Sequence, residues 1–372
     1  MTVWDVFKAL DAEELRLLSK FVRSPLHNRH EKVIELFDLL RYVKRQRSVL
    51  PDDEWFCEKL FPGEAMDIQR LRHIRSYLFK VLEQFLAWND WRQLPIEQAV
   101  HLQRAYRRHG LTSKWEAALH KTLELQEQQP LRNGQYWQQN YELQVEAFNF
   151  DRAKGRTREF NLQEMTETLD RAYIIEKLKN ACILLSHQTV IRKQYETGLL
   201  PTVLEYLAER PDWLKVPAIA IYYHAFQALS GEEGSAHFRA LRALLVPNEK
   251  VFETTELREI YILAINFCIR AWNTGQKEYM KDLFELYQSG LAAAVFFENG
   301  VLSRWTYNNI VIAGLKRQEF DWVHRFLHDY REKLPPRHQE GSYNYNLAKY
   351  YFDLKDYQQA MPLLLQMEHD DV

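Results

Sequence analysis

Residues 161–195, from Asn161 to Tyr195, contain neither glycine nor proline. A stretch of that length outruns any ordinary strand and predicts one long helix. The same economy governs the rest of the chain. Only 12 Gly and 12 Pro punctuate 372 residues, and β-branched alternating runs are scarce. Long helices joined by short turns follow, with almost no sheet. The expected fold class is all-α.

Local signals divide the chain into three parts. In the first, residues 1–94, Asp11 stands three positions before Glu14, the spacing of a capping box. Pro25 ends that helix. Val33, Leu36, Phe37, Leu40 and Val43 then form one helical stripe. Pro51 with Asp52 and Asp53 opens a short helix that "FPG" (61–63) closes. A long helix from about Asp67 carries Leu71, Ile74, Leu78, Val81, Leu82 and Phe85, and Pro95 marks a break. This part reads as an N-terminal helical bundle. The second, residues 95–215, is an irregular helical-hairpin region with turn signals at Gly110, "PLRNG" (130–134), "KGRT" (154–157), Gly198 and Pro211.

The third part, residues 216–372, repeats itself. With Lys355 at a turn, Leu347, Ala348 and Tyr351 share one face of the helix before it, and Tyr357, Ala360 and Leu364 share one face of the helix after it. With Gln318 at a turn, Tyr307, Ile310, Val311 and Gly314 precede it, and Phe320, Val323 and Leu327 follow. With Gly275 at a turn, Ala264, Phe267, Cys268 and Ala271 precede it. "AIAIYYHAFQALSGEEG" before "SAHFRALRALL" has the same outline. These segments resemble tetratricopeptide repeats, pairs of antiparallel helices with small residues where the backbones approach. The chain as a whole is similar to long helical-repeat proteins of Bacteroidetes-type bacteria. The resemblance implies a right-handed α-solenoid of tetratricopeptide-like pairs behind the N-terminal bundle. A solenoid normally ends in a helix with a polar outer side. None follows Met367, so the array is expected to continue beyond Val372, or to self-associate through an apolar edge near Leu363, Leu364 and Met367. Pro362 is expected to bend the last helix.

Several chemistries lack their signatures. No GxGxxG, GxxxxGK[ST] or GxSxG occurs. Cys57, Cys182 and Cys268 lie far apart without a CxxC pair, so buried free thiols in a reducing compartment are expected. His324 and His328 stand four apart but lack further ligands at matching spacing, and "HNRH" (27–30) reads as a polar turn. Glu13–Glu14, Asp52–Asp53 and Asp370–Asp371 are adjacent pairs, which point to different sides of a helix. No enzyme, cofactor or metal is expected. No apolar run of membrane-spanning length and no leader peptide appear, which places the chain in the cytoplasm.

Charge is unevenly shared: residues 1–160 hold 26 Lys/Arg against 23 Asp/Glu, and the remainder 23 against 28. The basic clusters "RYVKRQR" (41–47), "RLRHIR" (70–75), "RAYRRH" (104–109) and "RAKGRTR" (152–158) support a nucleic-acid-associated adaptor as one reading. The favoured reading is a protein or peptide scaffold. On the face opposite the packed one, the three register-fixed helices read Ile262, Asn266, Ile269, Asn273; Trp305, Asn309, Ile312, Lys316; and Ser342, Asn346, Lys349, Asp353. Asparagine recurs at one slot. In tetratricopeptide repeats that face lines a concave groove, where asparagine holds the backbone of an extended peptide. The resemblance thus implies Asn266, Asn309 and Asn346 as backbone-binding residues and Trp305 and Ile312 as an apolar floor. Arg270, Lys316 and Lys349 would favour an acidic ligand.

Overall fold

The computed structural model describes residues 2–46, 49–155, 159–191, 193–231 and 233–365. The chain forms two compact units, Met1–Thr122 and Leu123–Val372. The breaks expected near residues 94 and 215 fall inside these units, each just before a helix that starts on a proline.

The first unit begins with α1 (Val3–Ala9), α2 (Ala12–Val22), α3 (Glu31–Arg45), α4 (Asp53–Leu60) and α5 (Ile68–Trp91), followed by α6 (Pro95–Arg108). α7 (Thr112–Gln128) runs through the dividing point. The capping box forms: Glu14 N–H donates to Asp11 at 2.8 Å and Asp11 N–H donates to Glu14 at 2.9 Å. Every residue of the two expected apolar stripes, on α3 and α5, is buried. Phe7, Phe37 and Phe85 are fully buried between them, each worth roughly 1.5–3 kcal/mol relative to exposure. Much of the basic charge is structural. Lys44 donates to the Phe7 and Leu10 carbonyls at the end of α1 (2.5 and 2.6 Å). Arg70 pairs with Glu64, and Arg75 with Asp53. Arg47 and residues 156–158 of the basic clusters lie outside the described residues.

The second unit continues with α8 (Gly134–Lys154), α9 (Leu162–Ile191), α10 (Leu200–Glu209), α11 (Pro217–Ser230), α12 (Gly234–Leu245), α13 (Thr254–Asn273) and α14 (Tyr279–Ala292). After a two-stranded hairpin, β1 (Phe297–Glu298) and β2 (Val301–Leu302), come α15 (Arg304–Lys316), α16 (Phe320–Asp329), α17 (Gln339–Asp353) and α18 (Tyr357–Leu365). The long helix stops at Ile191, and residues 193–195 of the stretch expected to be helical are irregular. One apolar core runs from Ile174 to Tyr350. Helices pack as consecutive antiparallel pairs, α11 with α12, α13 with α14, α15 with α16 and α17 with α18. The second helix of each pair also meets the first helix of the next.

The three register positions behave alike. Gly275, Gln318 and Lys355 all have positive φ (95°, 61° and 63°). In each case the next residue donates its N–H to the carbonyl five residues back, at 3.0, 3.0 and 2.9 Å. This left-handed termination closes the last carbonyls of the first helix and reverses the chain. Close approach follows within the pairs: a Cβ on Gly314 would lie 2.4 Å from Val323 Cγ2, and Ala348 and Ala360 are buried. At the end of the last pair Leu363 is half-buried and Leu364 exposed, while Met367 and residues 370–371 lie outside the described residues.

Candidate functional site

A cavity of about 540 Å³ opens between α13, α15 and the β-hairpin. α13 presents Ile262, Asn266 and Ile269 to it, spaced by four and three residues so that they share one side of the helix. α15 presents Thr306 and Asn309, with its N-cap Ser303, whose hydroxyl accepts from Thr306 N–H at 3.1 Å. Asn266 and Asn309 are exposed, and the Asn309 side chain also hydrogen-bonds the Tyr287 hydroxyl. Behind Asn309 lies the buried Tyr287 hydroxyl. Burial holds that phenol well above its usual range, and the Asn309 side chain partly offsets the shift.

The hairpin walls one side. Asn299 and Gly300 both have positive φ (51° and 78°), the requirement of a type I′ turn. Arg258, from the start of α13, fixes it in place. Its guanidinium donates to the Val295 carbonyl at 2.6 Å and the Phe297 carbonyl at 2.7 Å, and pairs with Glu298. Sequence reasoning missed this wall. Its signal was the Asn-Gly dipeptide inside "VFFENGVL", a hairpin signature outweighed by the helical character of everything around it.

A smaller, mostly apolar cavity of about 350 Å³ lies alongside, between α9, α11 and α13, and Ile262 lines both. Lys179 and Tyr222 lead from it into a buried polar cluster. Glu256 there accepts from Asn133 (2.7 Å), the Tyr222 hydroxyl (2.8 Å) and Lys179 (3.3 Å). A carboxylate that is 7% exposed is thereby satisfied on several sides.

The other expected site residues do not join Asn266 and Asn309. Asn346 was expected on the open face, but it is fully buried. Its amide donates to Asn308 and, at 2.7 Å, to the Ser342 carbonyl. The reason is the neighbour: α17 turns that side toward α15. Arg270 was expected to select the ligand, yet its guanidinium caps α11 through the Leu229 and Ala228 carbonyls (2.5 and 3.0 Å). Trp305 is 63% exposed and stacks against Arg304. Neither Trp305 nor the half-buried Ile312 lines the cavity. Lys316 and Lys349 stand near each other; burial lowers the Lys349 pKa, Asp353 opposes that shift and Lys316 adds to it.

The remaining chemistry-bearing groups have structural partners. His324 and His328 face each other (Nε2 to Nε2, 3.3 Å), and His328 Nδ1 meets the Tyr343 hydroxyl at 3.0 Å. Among the described residues no three His, Cys, Asp or Glu side chains gather as a metal site. All three cysteines are buried and free, and burial pushes the Cys268 thiol up to about 12, far from a reactive thiolate. Among the described residues no helix is long and apolar enough to cross a membrane. The chain matches no protein-family model, no curated protein and no solved structure.

Proposed function

We propose that the helix pairs stack as a right-handed, tetratricopeptide-like solenoid, and that the protein is a non-enzymatic cytoplasmic scaffold binding an extended segment of a protein partner across α13 and α15. One observation carries this reading: Asn266 and Asn309 hold the same slot in consecutive pairs and open into one cavity. A carboxamide donates and accepts at once, so two of them can hold a peptide backbone without selecting its side chains. Selection falls to the surroundings. The apolar cavity beyond Ile262 suits an apolar side chain, and Lys316 and Lys349 favour acidic residues farther along α15 and α17.

Selection from a displayed peptide library, followed by titration of purified variants, tests the reading. Each of Asn266→Ala and Asn309→Ala is expected to weaken a selected peptide by a few-fold to about tenfold, the worth of one hydrogen bond of about 0.5–1.5 kcal/mol. Peptides indifferent to both substitutions would rule the groove out.

A further inference from the structure

We propose that the outward face of α5, together with the segment leading into α3, is a second and independent binding surface that takes single-stranded nucleic acid. While one side of α5 is buried in the bundle, residues 73, 77, 80, 84, 88 and 91 recur on the other at helical spacing. They read His, Tyr, Lys, Gln, Trp and Trp, with no carboxylate among them. The three large rings each leave a part in solvent: Tyr77 is 53% exposed, Trp88 37% beside Phe21 and Phe85, and Trp91 39% with its other side near His101. The acids of α5, Glu83 and Asp90, fall to one side of this stripe at about 100° per residue.

Several cations of this unit are spent on carboxylates. Arg23, Lys32, Arg70 and Arg75 are each paired with a carboxylate. Lys80 instead sits 5.8 Å from the Tyr77 ring centre, and Arg92 5.4 Å from that of Trp88. Arg29 donates to a backbone carbonyl, that of Pro25, at 3.2 Å. Arg29, Lys80 and Tyr77 border a cavity of about 790 Å³ whose one carboxylate is Glu31.

Exposed rings interleaved with cations and an amide meet the two demands of a flexible polyanion. Stacking platforms take its bases, and positive charge takes its phosphates. A folded protein partner would call for a contiguous apolar centre, whereas Lys80 and Gln84 separate Tyr77 from Trp88. The bases of a duplex are already stacked and paired, so the rings favour the single strand.

Fluorescence anisotropy of the full chain with labelled mixed-sequence single-stranded DNA and RNA, and with the matching duplex, tests this across a salt series. The expected result is single-strand binding that weakens with salt and exceeds duplex binding. Lys80→Gln should lower affinity and flatten the log–log salt slope by about 0.7. Tyr77→Ala should weaken binding at least about fivefold and leave that slope unchanged. Circular dichroism checks that both variants remain folded, and Arg29→Gln repeats the charge test off the helix. Absence of single-strand binding at low salt would overturn the proposal. Binding insensitive to Tyr77→Ala and Lys80→Gln, or an equal grip on duplex, would overturn it too.

Discussion

Three asparagines that look equivalent in sequence have two different fates. Asn346 is an internal strut: its replacement by alanine removes the hydrogen bonds to the half-buried Asn308 side-chain oxygen and to the Ser342 carbonyl. That loss should cost about 1–3 kcal/mol, read as a lowered urea midpoint. Asn266→Ala removes an exposed amide and should stay within about 0.5 kcal/mol of the parent, whereas Asn309→Ala also removes the hydrogen bond to the buried Tyr287 hydroxyl and should cost about 0.5–1.5 kcal/mol. His224 offers a second check at this scale. Its Nδ1 lies 2.9 Å from that of His237. Burial first, and then His237, lower its pKa from 6.5 to about 4. Above pH 6.5 both folded and unfolded states are neutral. Between 6.5 and about 4 only the unfolded chain takes up the proton, so stability should fall with pH across that window. Urea midpoints measured at several pH values should show this slope, and His224→Gln should flatten it. The identity of the outward slot was legible in the sequence, because the 3.6-residue period fixes which residues share a side. Which neighbouring helix covers that slot was not, since periodicity within α17 carries no information about α15.

The turns between paired helices are the elements the sequence specified most sharply. Placing Gly275, Gln318 and Lys355 at equivalent positions requires only the apolar register on either side, and all three adopt the left-handed conformation. Two of them are not glycine. Gln318→Gly and Lys355→Gly should therefore relieve a strained φ and raise stability by up to about 1 kcal/mol, visible as a higher melting temperature. The opposite holds at Gly314, where a methyl group would collide with Val323. Gly314→Ala should cost about 1–3 kcal/mol by overpacking. The β-hairpin was the element the sequence reading lost, because its strands are two residues each, too short for a period to register. Its attachment through Arg258 predicts that Arg258→Ala speeds amide hydrogen exchange over residues 297–302 while leaving α15 protected.

At the scale of the whole chain, the near absence of sheet among the described residues was legible from the scarcity of glycine, proline and alternating β-branched runs. The N-terminal apolar stripes were legible from their spacing. The boundary between the units was not, because Pro95 marks where a helix begins and says nothing about which helices pack together. Nearness in sequence did not reveal which basic residues are spent within the fold: Lys44, Arg70 and Arg75 of the clusters form caps and ion pairs. Arg29, Lys80 and Arg92, which stand beside exposed rings or in the segment before α3, lie outside those clusters. The central claim is that a partner segment lies across α13 and α15, and hydrogen–deuterium exchange of the full chain with and without a library-selected peptide tests it most directly. New protection is expected over residues 262–269 and 303–309, lost in the Asn266→Ala, Asn309→Ala double variant. Protection confined to other helices, or protection there that survives the double substitution, would contradict it.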